Sequence, residues 1–484
     1  MEPKVSDLIS ALSEWESEPS NTDELLRENL RELLRELSRR PVPVRSLHRL
    51  WSLGELSAQV ALAYFALWMR RSFESAEARN RAVLETNLRV ALKVFHRLGY
   101  LRGALMKVGQ TLGNFPDIVP SQFAETLDRL HFQAPPMHFS LLRELVRGEL
   151  GADPEELFET FETEAFAAAS LGQVHLAQLK SGERVAVKIQ YPGIARTIDA
   201  DIRNLRALLF PLRLGKDWEY LRLQFEEVHR MLQQETDYER EAESLRRARD
   251  LFNTSEGIIV PEVYEKYSTR RVLSMQYIPG AHLVDFLATN PSQELRNRFG
   301  TKIYLAAFRM YYARRNYADP HPGNYLFMSD GKLGLVDFGC VQNYSAEESK
   351  LHRLAEESTS GRPEVLRELF RLGANMDDED FADQERLELM KQSHSWMCEP
   401  IKSEGPFDFG NVEHLQRGMN LVISLIRKRY TRSHPTYVYF NRSLFGLRAL
   451  LYRLCAQVDV RALHNQEARS WMSGSQTTEK RQSE

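Results

Sequence analysis

Tyr317-Ala318-Asp319-Pro320-His321-Pro322-Gly323-Asn324, followed shortly by Val336-Asp337-Phe338-Gly339, is the stretch that decides the fold. It supplies an acid, then an amide after four intervening residues, then a second acid at the head of an Asp-Phe-Gly turn. A phosphoryl group in transfer spreads negative charge over its oxygens, and hard oxygen ligands are needed to hold Mg²⁺ against it. Asn324 and Asp337 suit that metal role. Asp319 falls where an acceptor hydroxyl would be oriented and its proton taken. Asp, Asn and Gly are ordinary turn formers, so Asp-Phe-Gly by itself reads as a turn; the ordered combination points to nucleotide and magnesium.

Upstream, Val185-Ala186-Val187-Lys188 reads as a strand whose lysine grips nucleotide phosphates. It follows the turn Lys180-Ser181-Gly182-Glu183 and the strand Gln173 to Leu179, the strand, turn, strand order of a protein-kinase N-lobe. The alternative is a buried-strand lysine whose stem merely runs along apolar surface. Where a Gly-rich phosphate loop is expected stands Phe166-Ala167-Ala168-Ala169-Ser170-Leu171-Gly172-Gln173. Each alanine Cβ disfavours φ > 0 and stiffens the segment, so nucleotide would be held differently there. Taken alone, the segment reads as an Ala-rich helix start or a packed turn. Paired strands are expected near Ile258 to Val263 and Arg271 to Tyr277, either side of a Lys266-Tyr267-Ser268-Thr269 turn, with Met275 to Ile278, Tyr277 among them, as the hinge meeting adenine. From Leu283 onward the pattern is mainly helical, apart from strands at Tyr325-Leu326-Phe327 and Leu333-Gly334-Leu335-Val336 that frame the catalytic loop.

Four motifs give the chain its resemblance to the UbiB family of atypical kinase-like proteins, also called AarF or ADCK type and linked to coenzyme Q biosynthesis. They are Lys107-Val108-Gly109-Gln110, the Ala167 to Ser170 loop with Gln173-Val174-His175, Glu235-Thr236-Asp237-Tyr238-Glu239-Arg240-Glu241, and the Asp319 to Asn324 run with its Asp-Phe-Gly. Beyond them, Tyr437 to Gly446 looks like the C-terminal segment of bacterial members. The resemblance implies an α+β, atypical protein-kinase-like bilobal fold, with an N-terminal helical extension over the nucleotide cleft and a mostly helical C-lobe. It implies ATP or ADP with Mg²⁺ as cofactors, an ion pair between Glu235 and Lys188, and a polar cluster of Lys107, Gln110 and Glu241 closing over the nucleotide. On one continuous helix Glu235 and Glu241 would point about 120° apart, while Asp237 and Glu241 would share a face. Without the resemblance these acids and Lys107 read as solvated surface charge. The chain departs from the family at Tyr317, where a His is usual, and no Ala-Pro-Glu or peptide-docking segment follows Gly339. The expected target is therefore a small molecule or lipid: an ATPase or phosphotransferase supporting isoprenoid quinone synthesis, or alternatively a catalytically weak, nucleotide-gated module that remodels around a lipid or protein partner.

The 484 residues, 43% of them hydrophobic, are ample for a large core, and a net charge of −3 gives no global attraction to nucleic acid, which is not expected as a partner. Cys340, Cys398 and Cys455 are widely separated, so neither a disulfide framework nor a zinc site is implied. The polar N-terminus lacks a secretory signature, and a cytoplasmic protein with peripheral membrane contact is the expectation. The apolar run Val60 to Met69 is too short to span a bilayer; it reads as a buried helix or as one lying on a membrane surface. Leu26, Leu30, Leu33 and Leu37 form one stripe of an N-terminal helix that Pro41 and Pro43 end, and a second helix over Asn80 to Phe115 carries Lys107. The expected organisation is an accessory region at 1–79, a helical extension at 80–161, an N-lobe at 162–280, a C-lobe at 281–473 and a disordered tail at 474–484. A lipid or quinone precursor is the expected partner beside adenine nucleotide, with homodimerisation left open.

Overall fold

A computed structural model describes residues 137–169, 171–195, 198, 218–317, 320–428, 430 and 435–468, with some side chains inside these spans, that of Ala168 among them, left undescribed. The N-terminal helices expected before residue 137, Lys107 and Gln110 with them, lie outside the described residues, as do Ser170, Asp319 and the tail. The chain divides into two compact units at Thr236/Asp237.

In the first unit, helix α1 (Phe139–Leu150) buries Leu142, Leu145 and Val146, spaced for one helical face. His138 caps it by accepting from Ser140 N, and Gly151 closes it at φ 80° with its N–H on Arg147 O. After the short α2 (Pro154–Leu157) come strands β1 (Thr160–Phe161), β2 (Ala167–Ala169), β3 (Gly172–Gln178) and β4 (Arg184–Gln190). Both β1 and β2 pair antiparallel with β3, which pairs along its whole length with β4. The helical pattern expected up to Phe161 thus gives way to strand. The Lys180 to Glu183 turn is as expected, with Gly182 at φ 101° and its N–H on Leu179 O. Val185, Val187 and Ile189 are fully buried, and α1 packs on β4. Helix α3 (Trp218–Glu235) completes the unit.

The Ala-rich stretch is neither helix start nor packed turn. Ala167 pairs with Val174 and Ala169 with Gly172 in a tight β2–β3 hairpin, so ladder pairing overrides alanine's helical preference.

The second unit opens with α4 (Tyr238–Arg249). Glu235 and Glu241 do not share one helix: α3 ends at Glu235, and the Asp237 carboxylate accepts from Arg240 N as the cap of a new helix. Strand β5 (Ile258–Ile259) pairs in parallel with β9 (Leu333–Leu335), which pairs antiparallel with β8 (Tyr325–Phe327). Residues 258–259 therefore leave the hairpin in which they were expected. Only the Val263 region meets β6 (Val272–Gln276), through a bridge to Met275, around the turn at Glu265–Tyr267. Helices α5 (Leu283–Ala288) and α6 (Gln293–Tyr312) precede β7 (Arg315–Tyr317), which pairs with β10 (Val341–Asn343). The remainder is mainly helical, as expected: α7 (Ala346–Glu357), α8 (Pro363–Gly373), α9 (Asp378–Ala382), α10 (Gln384–Lys402), α11 (Val412–Arg427) and α12 (Pro435–Leu454), with a small β11 (Phe407–Asp408) and β12 (Gln457–Val458) ribbon and a last helix over 460–468.

Candidate nucleotide and metal site

In the first unit Lys188 lies on β4 opposite Val174, 7% exposed in a run that is otherwise apolar. Two residues on, buried Gln190 donates from Nε2 to Thr236 O at 2.7 Å. That bond holds the end of α3, and so Glu235, to the strand carrying Lys188. Gln173 and His175 on β3 are buried too. The Gln173 side chain accepts from Met137 N at 2.8 Å and donates to Met137 O at 3.2 Å, tying the segment ahead of α1 to the sheet. The Glu162 carbonyl 2.8 Å from His175 Nδ1 can only accept, so Nδ1 carries the proton and Nε2 accepts from Gln173 Nε2 at 3.0 Å. Burial holds the His175 pKa below its ordinary value despite that carbonyl. Neither glutamine was singled out for a bonding role by sequence reasoning; the signal was a polar residue inside a buried strand, which has to find a partner.

In the second unit β7 precedes the Asp319 to Asn324 motif and β8 follows it. His321 caps a tight turn at Pro322–Asn324, its Nδ1 accepting from Gly323 N at 3.0 Å. The Asn324 carbonyl accepts from Val336 N at 3.1 Å, the last rung above the Tyr325 to Leu335 pairing. Asn324 and Asp337 thus stand at the same mouth of the β8–β9 hairpin. Asp337 Oδ1 accepts from Gly339 N at 3.0 Å, fixing the Asp-Phe-Gly turn. A Cβ added at Gly339 would stand 3.3 Å from Asp337 Oδ1 and 3.4 Å from Glu241 Oε2, so the two carboxylates converge on this glycine. Glu241 is 2% exposed. Among the described residues no three His, Cys, Asp or Glu side chains cluster to hold a metal. One or two carboxylates beside an amide oxygen, completed by substrate phosphate and water, is nevertheless the donor set that Mg²⁺ prefers, and Asn324 and Asp337 fit it.

Tyr317 packs its ring 5.2 Å from Phe338 of the turn and 6.2 Å from Tyr325. The C-terminal motif supports the same loop from α12. Ser443 Oγ donates to Asn316 Oδ1 at 2.7 Å and lies 3.0 Å from Tyr317 O, while Gly446 admits Pro320 against the helix backbone. Side chains of that motif up to Arg442 are outside the described residues. Met275 is buried on β6, and Tyr277 follows it half-buried. Cys340, Cys398 and Cys455 form no disulfide; the first two are buried and Cys455 is exposed.

Residues 129–357 match the ABC1 atypical kinase-like domain. Atypical kinase COQ8B, mitochondrial, from Danio rerio is 28% identical over 435 residues, covering 87% of this chain and 68% of that protein. Atypical kinase coq-8, mitochondrial, from Caenorhabditis elegans is 29% identical over 453 residues, covering 90% of this chain and 58% of that protein. Among solved structures, the complex of Rv3197 with erythromycin from Mycobacterium tuberculosis is similar at TM-score 0.55 and 26% identity, over 80% of this chain and 97% of that one.

Proposed function

This chain belongs to the UbiB family of atypical kinase-like proteins, also called AarF or ADCK, and from that premise we propose that it binds an adenine nucleotide with Mg²⁺ and cleaves or transfers the terminal phosphoryl group. The observation that carries the reading is the rung from Val336 N to Asn324 O, which brings an amide and a carboxylate of the right chemistry to one hairpin mouth. In this reading Lys188 contacts the phosphates and Glu235 orients it. Asn324 and Asp337 hold the metal, and Asp319 positions the acceptor hydroxyl or water and takes its proton. Bound Mg²⁺ supplies charge neutralisation at the phosphate oxygens. Met275 and Tyr277 flank adenine. Ala167, Ala168, Ala169 and Ser170 cover the phosphates, and Glu241 joins Lys107 and Gln110 in the polar cluster. The acceptor class is a lipid or quinone precursor, in keeping with the COQ8 names of the relatives. No helix among the described residues is long and apolar enough to cross a membrane, and Val60 to Met69 lies outside them, so contact with a bilayer is proposed as peripheral. Those two relatives are named mitochondrial; for this chain a cytoplasmic location remains the proposal.

The test is nucleotide turnover in purified protein, with and without anionic liposomes and a phenolic quinone precursor. Mg²⁺-dependent phosphate release that Asp337→Asn abolishes, with its melting temperature kept, is the expected result. Turnover by that variant at the parent rate removes the metal assignment, and no Mg²⁺-dependent thermal shift with ATP or ADP removes the whole reading.

One observation favours a second reading, a nucleotide-gated binding module with little turnover. Ala167–Ala169 forms a paired strand where a flexible glycine loop would follow the phosphates through catalysis. Tight nucleotide binding with no phosphate release under any lipid condition selects it.

A further inference from the structure

We propose that the second unit contains a separate ligand site, a cavity of about 310 Å³ lined by catalytic-loop residues, that takes an uncharged, mainly apolar small molecule bearing one acceptor oxygen. The wall is built by Tyr304 and Phe308 of α6, Leu369 and Phe370 of α8, Leu425 of α11 and Leu447 of α12. The cavity's volume falls at the lower end of the roughly 300–1,000 Å³ range of small-molecule pockets.

Its polar groups are few and specific. His394 on α10 lies with Nε2 2.7 Å from Ser358 Oγ and 3.6 Å from Cys398 Sγ, all three residues being buried cavity lining. Burial pushes the His394 pKa down to about 4 and raises that of the Cys398 thiol, so this side of the cavity is neutral at pH 7. At the loop side, Asn316 is 6% exposed; its Oδ1 accepts from Ser443, and its Nδ2 meets no acceptor among the described residues. An oxygen on the occupant would answer that donor. Arg315 and Glu356, of opposite charge, also line the cavity, so the lining carries no net charge, and burying an unpaired charge against the apolar wall would be costly.

Asn316, Tyr317 and Pro320 form part of the lining, so occupancy and the geometry of the catalytic loop are linked. That coupling rests on the nucleotide reading above; the binding site does not.

Benzophenone, a neutral aromatic ketone that inserts into nearby C–H bonds under ultraviolet light, is the probe. The full chain is irradiated with it and the labelled peptides are mapped by mass spectrometry. Labels are expected on the peptides carrying Met390, Met397 and Leu425. They should fall by at least about tenfold in Ala307→Phe and Val422→Phe, which narrow the cavity from different helices, and to a similar degree when 4-benzoylbenzoate, the same ketone with a carboxylate, replaces benzophenone. Labels scattered over the surface, equal labelling by the carboxylate, or parent-level labelling in both folded variants would overturn the site. The parent map and the carboxylate comparison decide even where a variant fails to fold. ATP turnover measured in the dark with benzophenone should change in the parent and not in Ala307→Phe. Specific labelling in a protein without turnover would leave this site standing and sink the hydrolase reading.

Discussion

Gly446 and Pro320 approach so closely that a Cβ at 446 would stand 2.3 Å from Pro320 Cγ. A proline ring carbon cannot swing aside as a flexible side-chain tip can, so Gly446→Ala must displace either α12 or the loop that holds Pro320. The expected cost is about 1–3 kcal/mol of stability, read as a lower urea midpoint, together with a loss of turnover larger than that of an equally destabilised variant far from the loop. His352 makes a prediction of a different kind. It is half-buried between Tyr311 and Tyr344, ring centroids 4.8 and 3.9 Å away, and the loss of water around it pushes its pKa down to about 4. The folded chain holds the ring neutral while the unfolded chain takes a proton near pH 6.5. Stability contributed by the neutral ring is therefore complete above pH 6.5, is lost as pH falls towards 4, and changes no further below that. Urea midpoints at pH 7.5 and 5.0 check this: the drop between them should be smaller in His352→Phe than in the parent.

At the scale of elements, Asp237 decides where α4 begins. Asp237→Ala removes the carboxylate that accepts from Arg240 N at 3.2 Å and should cost about 1 kcal/mol, or a melting temperature lower by about 2–4 °C for a unit of this size. Because Glu241 lies in the first turn of that helix, nucleotide affinity should weaken beyond what the lost stability explains; unchanged affinity would detach Glu241 from the site. The elements also show what can be read from sequence. The β3 and β4 strands, their turn and the β8–β9 hairpin are local pairings whose alternation and turn residues stand next to each other in the chain, so they are legible. Asn324 and Asp337 are legible for the same reason, since the hairpin between them fixes their separation. The break at Thr236 and Asp237 is not, because an Asp inside a helical pattern reads as a capping residue only once the preceding turn is known to end. Nor is the parallel pairing of Ile258 with Leu333, a partnership across seventy-odd positions that no local periodicity encodes. Ala167–Ala169 misleads because its composition favours helix and only its pairing with β3 makes it strand.

At the scale of the whole molecule, the second unit is tied by an ion network that begins on α6. Arg309 donates from Nε and Nη2 to both oxygens of Glu467 at 3.0 and 2.8 Å and from Nη1 to Glu256 at 2.6 Å, with Glu467 2% exposed. Those bonds hold the Glu256 carboxyl below its ordinary pKa. Arg309→Met strands the buried Glu467 carboxylate and should cost about 3–5 kcal/mol, seen as a large fall in the urea midpoint. The double variant Arg309→Met/Glu467→Leu should recover part of it, and no recovery would mean that packing, not charge, sets the loss. Because Glu467 lies on the helix over 460–468 while its partner Arg309 lies on α6, a chain cut between them ahead of Glu467 would leave the partly buried guanidinium with Glu256 but without its second carboxylate. Such a nick would loosen the second unit from within while leaving Asn324 and Asp337 in place.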